Sequence, residues 1–318
     1  LQGQLIINFR HHKRGKDMNN LYGFFMEPQN FSVNDGEGIR TIVFFAGCPL
    51  RCKWCANPEG LAHADRMSHR YELCIGCGKC TIICPANVGS NLNSPEERER
   101  CISCGICEDD CPTGSRKRLV KKYSVSEVLK ILERQEIFYR YSGGGVTFSG
   151  GEATLQQDVL RELAYVLYDR AISLAIETSG YFEFDDVKDI LEKLDLIFID
   201  IKHMDDGKHR LYTGVSNEKI LANIKRLNEL NSDVVVRVPV IEGVNDSADN
   251  IVKTAKFAKE NIKRPKIELL PCHSFGDEKY EAMGIEKPSG EFKSPSPEAL
   301  DKLAGLIRAE GVEVVSYK

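Results

Sequence analysis

The chain has 318 residues, 42% of them hydrophobic, which is enough for one large globular domain or a domain carrying an insertion. Its 43 Lys and Arg stand against 47 Asp and Glu, a net charge of −4 with both signs mixed along the sequence. That leaves no broad basic field to hold a polyanion and argues against nucleic acid as a partner. No window approaches the roughly 18 consecutive apolar residues of a membrane span, and the N-terminus lacks the apolar stretch of a secretory signal. The expectation is a cytoplasmic protein without a membrane partner. Eleven of the twelve cysteines fall between Cys48 and Cys111, and the rest of the chain holds only Cys272. Such crowding without a secretion signal favours metal over disulfides.

Taken in order, residues 1–20 show no strong period and carry a basic cluster from His11 to Lys16, so they read as a disordered N-terminal extension. Phe24 to Ser32 leads into the turn Asp35-Gly36-Glu37-Gly38, whose glycines permit a sharp approach to the next segment. The apolar run Thr41 to Phe45 ends in Gly47 and reads as a buried strand opening into a loop. In that loop Cys48, Cys52 and Cys55 form a C-x3-C-x2-C triplet. An iron-sulfur cube has four iron corners, each normally held by one thiolate, so three local ligands leave one iron free to bind something else. A closed zinc site would want four ligands at paired spacings, and a disulfide cluster an even number.

The triplet and its flanks resemble the radical S-adenosylmethionine superfamily and, within it, the activating enzymes of glycyl radical enzymes. The residues that carry the resemblance are Asp35-Gly36-Glu37-Gly38-Ile39-Arg40, then Phe44-Phe45-x-Gly47-Cys48, then Cys55-x-Asn57-Pro58, and the similarity continues along most of the chain. The resemblance implies that the amino and carboxylate groups of the methionine moiety chelate the open iron on Cys48, Cys52 and Cys55. It also places the family's usual beginning just after Met18, so residues 1–17 read as an extension from an upstream start assignment.

Leu61 to Arg118 holds two further runs, Cys74-x2-Cys77-x2-Cys80-x3-Cys84-Pro85 and Cys101-x2-Cys104-x2-Cys107-x3-Cys111-Pro112. Each is the bacterial ferredoxin pattern, in which the last cysteine ligates the cluster of the other run. Cys74, Cys77, Cys80 and Cys111 are therefore assigned to one 4Fe-4S cluster, and Cys101, Cys104, Cys107 and Cys84 to a second. Two zinc ribbons are the alternative, but four cysteines are packed too densely there for one tetrahedral ion. So short a block has little apolar core and needs its clusters to fold. The two clusters read as an electron relay, with a structural or docking role as the alternative. Activators of the glycerol dehydratase, choline trimethylamine-lyase and arylacetate decarboxylase types resemble this chain in carrying such an insertion.

From Tyr123 the pattern changes to alternating helices and strands. Ser124 caps a helix over Val125 to Arg134. Strands follow at Val146 to Ser149, Leu174 to Glu177, Leu196 to Asp200, Val234 to Val240, Ile267 to Leu270 and Val312 to Val315. Repeated strand-helix units mean a parallel sheet, so the fold class is α/β. The resemblance implies that residues 21–60 and 120–318 form a partial (β/α)6 TIM-type barrel, with 61–119 as a ferredoxin-like α+β insertion.

Chemistry in such a barrel collects at the carboxyl ends of the strands. Gly150-Gly151-Glu152 resembles the superfamily's site for the methionine amine. Glu177-Thr178 and Asp200-Ile201-Lys202 end the next two strands; Asp200 can accept from ribose hydroxyls, and Lys202, taken as catalytic with the three cysteines, can balance its charge. A surface ion pair is the alternative for those two. Arg237 lies in the apolar strand VVVRVPV, where an unpaired charge is costly, so it must meet a carboxylate. Trp54 offers a face for adenine, with Cys55 and Ala56 beside it, and the resemblance places His273 against the adenosyl part. Cys272 reads as a small buried residue, and His63, His69, His203 and His209 as residues of polar loops without a role.

The function implied is reductive cleavage of S-adenosylmethionine to a 5'-deoxyadenosyl radical, which takes a hydrogen atom from a backbone glycine of a partner glycyl radical enzyme. A reduced flavodoxin or ferredoxin is the implied donor, the chain is expected to be monomeric alone, and exposed clusters predict loss of activity in air. The alternatives are a radical enzyme acting on a small molecule or another peptide, and an electron-transfer protein; the second leaves Gly150 to Glu152 and Asp200 to Lys202 without purpose.

Overall fold

A computed structural model describes residues 18–274, 276–288 and 292–317. Of the expectation of disorder over 1–20, residues 1–17 lie outside the described residues, whereas residues 18–20 form an exposed turn, with Met18 O accepting from Ser126 N at 3.4 Å. Among the described residues eleven strands form one mixed sheet. They are β1 (Tyr22–Met26), β2 (Gln29–Ser32), β3 (Arg40–Phe45), β4 (Arg66–His69), β5 (Arg116–Ser124), β6 (Gly145–Gly150), β7 (Ser173–Thr178), β8 (Leu196–Asp200), β9 (Asp233–Val240), β10 (Lys266–Pro271) and β11 (Glu313–Val314).

Strands β3, β6, β7, β8, β9, β10 and β11 pair in parallel in that order. They form the expected α/β barrel wall, which stays open because the sheet order ends at β11. Apolar runs such as Phe45, Val146, Phe148, Ile176, Ile197, Ile199, Val236 and Val238 are fully buried, as strands covered on both faces require. Helices lie between successive strands, among them Gln157–Asp169, Phe184–Leu191, Glu218–Leu227, Ala248–Asn261 and Pro297–Ala309. Their apolar faces join the strands in one large core cluster. Ser124 does cap the helix Val125–Glu133, and with Glu127 it completes a reciprocal capping box, Ser124 N donating to Glu127 Oε2 at 2.8 Å.

The antiparallel wing is absent from the sequence-based expectation. Beyond β3 the sheet continues through β1, β5 and β4, all antiparallel to their neighbours. β4 and β5 bracket the cysteine-rich block and join it to the barrel sheet, so the block grows from a continuous surface. Its own apolar core is small: Met67, Val88 and Leu92, with Cys84, Ala86, Cys101 and Cys107 packed against them. The two short helices Lys79–Ile82 and Ile106–Asp109 each start after a left-handed glycine, Gly78 at φ 71° and Gly105 at φ 84°, repeating one local geometry in both cysteine runs. Among the described residues no helix is long and apolar enough to cross a membrane.

Three of the four histidines assigned to polar loops are buried. His69 ends β4 at 2% exposed, His209 sits in the helix Asp206–Thr213 at 1%, and His203 is 5% exposed. Burial lowers the pKa of all three, His69 to about 4, where Arg116 and Arg98 add to the effect.

Candidate active site

The cysteine triplet leaves β3 through Gly47, at φ 96°. Three backbone bonds fix the loop: Gly47 N to Gly60 O at 2.8 Å, Glu152 N to Gly47 O at 2.7 Å and Gly151 N to Phe45 O at 2.8 Å. The loop after β6 therefore lies flat against the cysteine loop. A Cβ on Gly151 would stand 2.4 Å from Gly47 O and 2.5 Å from Gly60 O, and one on Gly150 (φ 117°) would stand 2.2 Å from Phe45 O. The two glycines thus permit a close approach of backbone to backbone.

The turn Asp35 to Gly38 is held by Arg40, which is 2% exposed and donates from Nη1 to Glu37 O at 3.2 Å. Its Nε donates to Thr147 Oγ1 at 2.7 Å and its Nη2 to Val146 O at 2.8 Å. Burial pushes its pKa down to about 10.

A cavity of about 420 Å³ opens at the carboxyl ends of the parallel strands. Cys48, Cys52, Trp54, Cys55, Ala56, Gly150, Gly151, Glu177, Thr178, Asp200, Lys202, Arg237 and His273 all line it. Two expected ligand contacts do not. Glu152 is 1% exposed and turned inward, its carboxylate accepting from Thr154 Oγ1, Thr178 Oγ1, Ser179 N and Ser179 Oγ. It ties the turn after β6 to the turn after β7. Ile201 is 3% exposed and belongs to the apolar core, because side chains alternate along an extended chain and Asp200 and Lys202 take the cavity side. Cys272, read as buried, is half-exposed and lines the cavity beside His273.

Lys202 Nζ lies 2.6 Å from Asp200 Oδ2, and the lysine side chain is only 10% exposed. Burial alone would lower its pKa; the charge of Asp200, with which it shares a hydrogen bond, is the chief influence that more than offsets it, so the ammonium is kept. Arg237, 5% exposed, does meet carboxylates. Its Nε donates to Glu268 Oε2 at 2.7 Å, its Nη1 to Glu177 Oε1, and its guanidinium lies 3.6 Å from the ring centre of Phe198. Glu268 went unread in the sequence, although a carboxylate inside KIELLP in register with the arginine of VVVRVPV was a usable signal.

The donor set fits iron-sulfur chemistry. Burial pushes the Cys48 and Cys52 thiols up to about 12 and Cys55 to about 11, so a metal that binds them displaces their protons. The loop is braced from outside by the helix Asp277–Ala282, whose Lys279 Nζ donates to Glu59 Oε1 at 2.6 Å and Asn57 Oδ1 at 2.9 Å. The same helix receives the cysteine-rich block: Asn93 Nδ2 donates to Glu281 O at 2.9 Å and Arg98 Nη2 to Ala282 O at 3.1 Å. In that block Cys84, Cys101, Cys104 and Cys107 ring one small cavity, and Cys74, Cys77, Cys80 and Cys111 ring another. The thiols surround space without converging on a point: among the described residues no three His, Cys, Asp or Glu side chains are gathered as a single-ion site.

The radical SAM superfamily model matches residues 42–258. The choline trimethylamine-lyase activating enzyme of Oleidesulfovibrio alaskensis is 39% identical over 288 residues, covering 88% of this chain and 93% of that one. The trans-4-hydroxy-L-proline dehydratase activating enzyme of Clostridioides difficile is 39% identical over 287 residues, 88% and 94%. The chain belongs to the radical SAM activating enzymes of glycyl radical enzymes. A radical SAM methyltransferase from Sphaerobacter thermophilus shares the fold, with a TM-score of 0.52 at 15% identity over 91% of this chain and 76% of that one. In this radical SAM activating enzyme, the cavity just described joins the cysteine loop to the ends of the parallel strands.

Proposed function

We propose that this chain activates a partner glycyl radical enzyme at the cavity shared by Cys48, Cys52, Cys55, Asp200 and Lys202. One observation carries the reading: the three thiols and this strand-end ion pair face the same space of about 420 Å³. Cys48, Cys52 and Cys55 would hold a 4Fe-4S cluster, which would supply the one electron that cleaves S-adenosylmethionine to methionine and a 5'-deoxyadenosyl radical, the species that would take a hydrogen atom from a backbone glycine of the partner.

The chain's own residues bind, orient and seal. Asp200 gives Oδ2 to Lys202 and so presents Oδ1 to ribose hydroxyls. Lys202 holds a charge that offsets the thiolates. Gly150 and Gly151 bring backbone polar groups to the cavity wall for the methionine amine, and Trp54 and His273 flank the adenine side. Glu177, fixed by Ser149 Oγ at 2.5 Å and by Arg237, closes the side beneath Asn34 and Asp35.

Each of the two cysteine sets in the insertion would hold a further 4Fe-4S cluster, giving three in all, and the pair would serve as an electron relay. This is supported by two cavities that each collect the four cysteines assigned from spacing, the first taking in Cys80 as well. A reduced flavodoxin or ferredoxin is the donor, and the chain works as a monomer in the cytoplasm.

The test is anaerobic reconstitution with iron and sulfide counted, followed by reduction with S-adenosylmethionine present. The expected result is 5'-deoxyadenosine and methionine in equal amounts, and a glycyl doublet by EPR on one member of a panel of glycyl radical enzymes of the choline-lyase and hydroxyproline-dehydratase kinds. Cleavage without a doublet on any of them would make the substrate something other than a glycine of those proteins. No cleavage at all would remove the reading.

A further inference from the structure

The two cysteine-ringed cavities of the insertion share two lining residues, Cys80 and Arg116. Arg116 opens β5 and is 3% exposed. Its Nη2 donates to Ser90 O at 2.7 Å and Gly89 O at 3.2 Å and lies 3.7 Å from Cys80 Sγ. Its Nε is buried without a partner. Carbonyl oxygens orient a guanidinium but do not neutralise it, and among the described residues no carboxylate pairs with Arg116. A buried cation without a counter-charge is costly. Groups able to supply that charge line the same two cavities: the cysteines of the two sets, Cys80 Sγ at 3.7 Å among them, carrying as thiolates the anionic clusters they are proposed to hold.

We propose that Arg116 is the counter-cation shared by both inserted clusters and that it raises their reduction potentials. Reduction adds an electron to a site that is already anionic. A fixed cation in a desolvated setting therefore stabilises the reduced form more than the oxidised one. The hydrogen bond to Cys80 Sγ acts in the same direction by drawing density from the sulfur. Arg116 is thus a positioning and tuning residue, and the proposal rests on the two-cluster reading of the insertion.

The test uses the full-length chain carrying C48A, C52A and C55A, so that only the insertion clusters contribute to the signal. Arg116→Met, Arg116→Gln and Arg116→Lys are compared in redox titrations followed by EPR, with iron and sulfide counted in each. In Arg116→Met, at unchanged iron content, the ratio of reduced to oxidised cluster at a fixed poise falls at least tenfold, which is about 59 mV for a one-electron couple. Arg116→Lys keeps the charge and stays within about threefold of the parent. An unchanged titration in Arg116→Met overturns the proposal.

Loss of both clusters from the two neutral variants, with retention in Arg116→Lys, supports it. Loss from Arg116→Lys as well overturns it, because the carbonyl contacts and not the charge would then be what the block needs. A parent protein with no iron in the insertion is a separate result: it removes the cluster reading itself, and the proposal with it.

Discussion

Arg237 on β9 is clamped between Glu268 on the adjacent β10, at 2.7 Å, and Glu177 on β7, one strand further across the sheet on its other side. Burial would lower the arginine's pKa, and the two carboxylates together hold it above its ordinary value. Glu177 is pushed upward by burial while Arg237 opposes the rise. Two acids and one base in a desolvated wall stand or fall together.

Replacing Arg237 by Met strands the buried Glu268 and the half-buried Glu177, and the expected loss is about 3–5 kcal/mol in anaerobic urea unfolding followed by circular dichroism. Arg237→Lys keeps the charge but loses the planar fork that reaches both acids, so its loss is expected to be smaller, about 1–3 kcal/mol. Equal stability of the Met variant and the parent would show that the clamp does not hold the wall.

Two glycines separate close approach from mere flexibility. Gly151→Ala puts a methyl group 2.4 Å from one backbone oxygen and 2.5 Å from another, neither of which can rotate away. The cysteine loop must shift, so iron bound at Cys48, Cys52 and Cys55 is expected to fall by more than half while the insertion keeps its own. Gly305→Ala falls inside the helix Pro297–Ala309 with nothing within 4 Å of the added methyl. It is expected to stabilise the chain by about 0.5–1 kcal/mol, through helix propensity and a less flexible unfolded state. Iron counts on the first variant and unfolding curves on the second check both.

The parallel strands were legible because each is a short apolar run with polar turns after it, and a strand buried on both faces leaves that mark. The cysteine sets were read from spacing, and each set of four lines one cavity of the insertion, with Cys80 lining both. The antiparallel wing was not legible. In β5, RKRLVKKYS, the buried positions are Arg116, Val120 and Ser124, and an arginine or serine facing inward carries no hydrophobic signal. Ile201 and Glu152 were placed at the ligand because they sit beside residues that do line the cavity. In extended chain, one step along the sequence is one step to the other face. The brace Asp277–Ala282 escaped notice because DEKYEA reads as a solvated turn, and its Lys279 acts through a partner 220 residues away.

The insertion has so few apolar residues of its own that its stability is expected to depend on iron. Anaerobic chelation should abolish hydrogen-exchange protection between Cys74 and Ser115, where the buried apolar side chains among the described residues are few. The barrel strands β6 to β9, whose core is large and apolar, should keep theirs. Protection retained in the insertion after all iron is removed would mean that β4, β5 and the contacts of Asn93 and Arg98 with the helix Asp277–Ala282 suffice to hold it.

The ion pair of Lys202 and Asp200 is the part of the site where charge and ligand reading meet, and its two members are expected to fail differently. Asp200→Asn keeps a carbonyl oxygen for a ribose hydroxyl but leaves the buried Lys202 without its anion. S-adenosylmethionine is expected to bind about tenfold more weakly, a loss of about 1.4 kcal/mol. Lys202→Met removes the cation that faces three thiols and Asp200, a change felt wherever negative charge collects in the cavity. Production of 5'-deoxyadenosine is expected to fall by about a hundredfold with iron content near that of the parent, and the deficit should persist when S-adenosylmethionine is saturating. Binding by equilibrium dialysis and single-turnover product analysis separate the two effects. Identical losses of binding in both variants, with turnover intact at saturation, would reduce the pair to a wall that shapes the cavity.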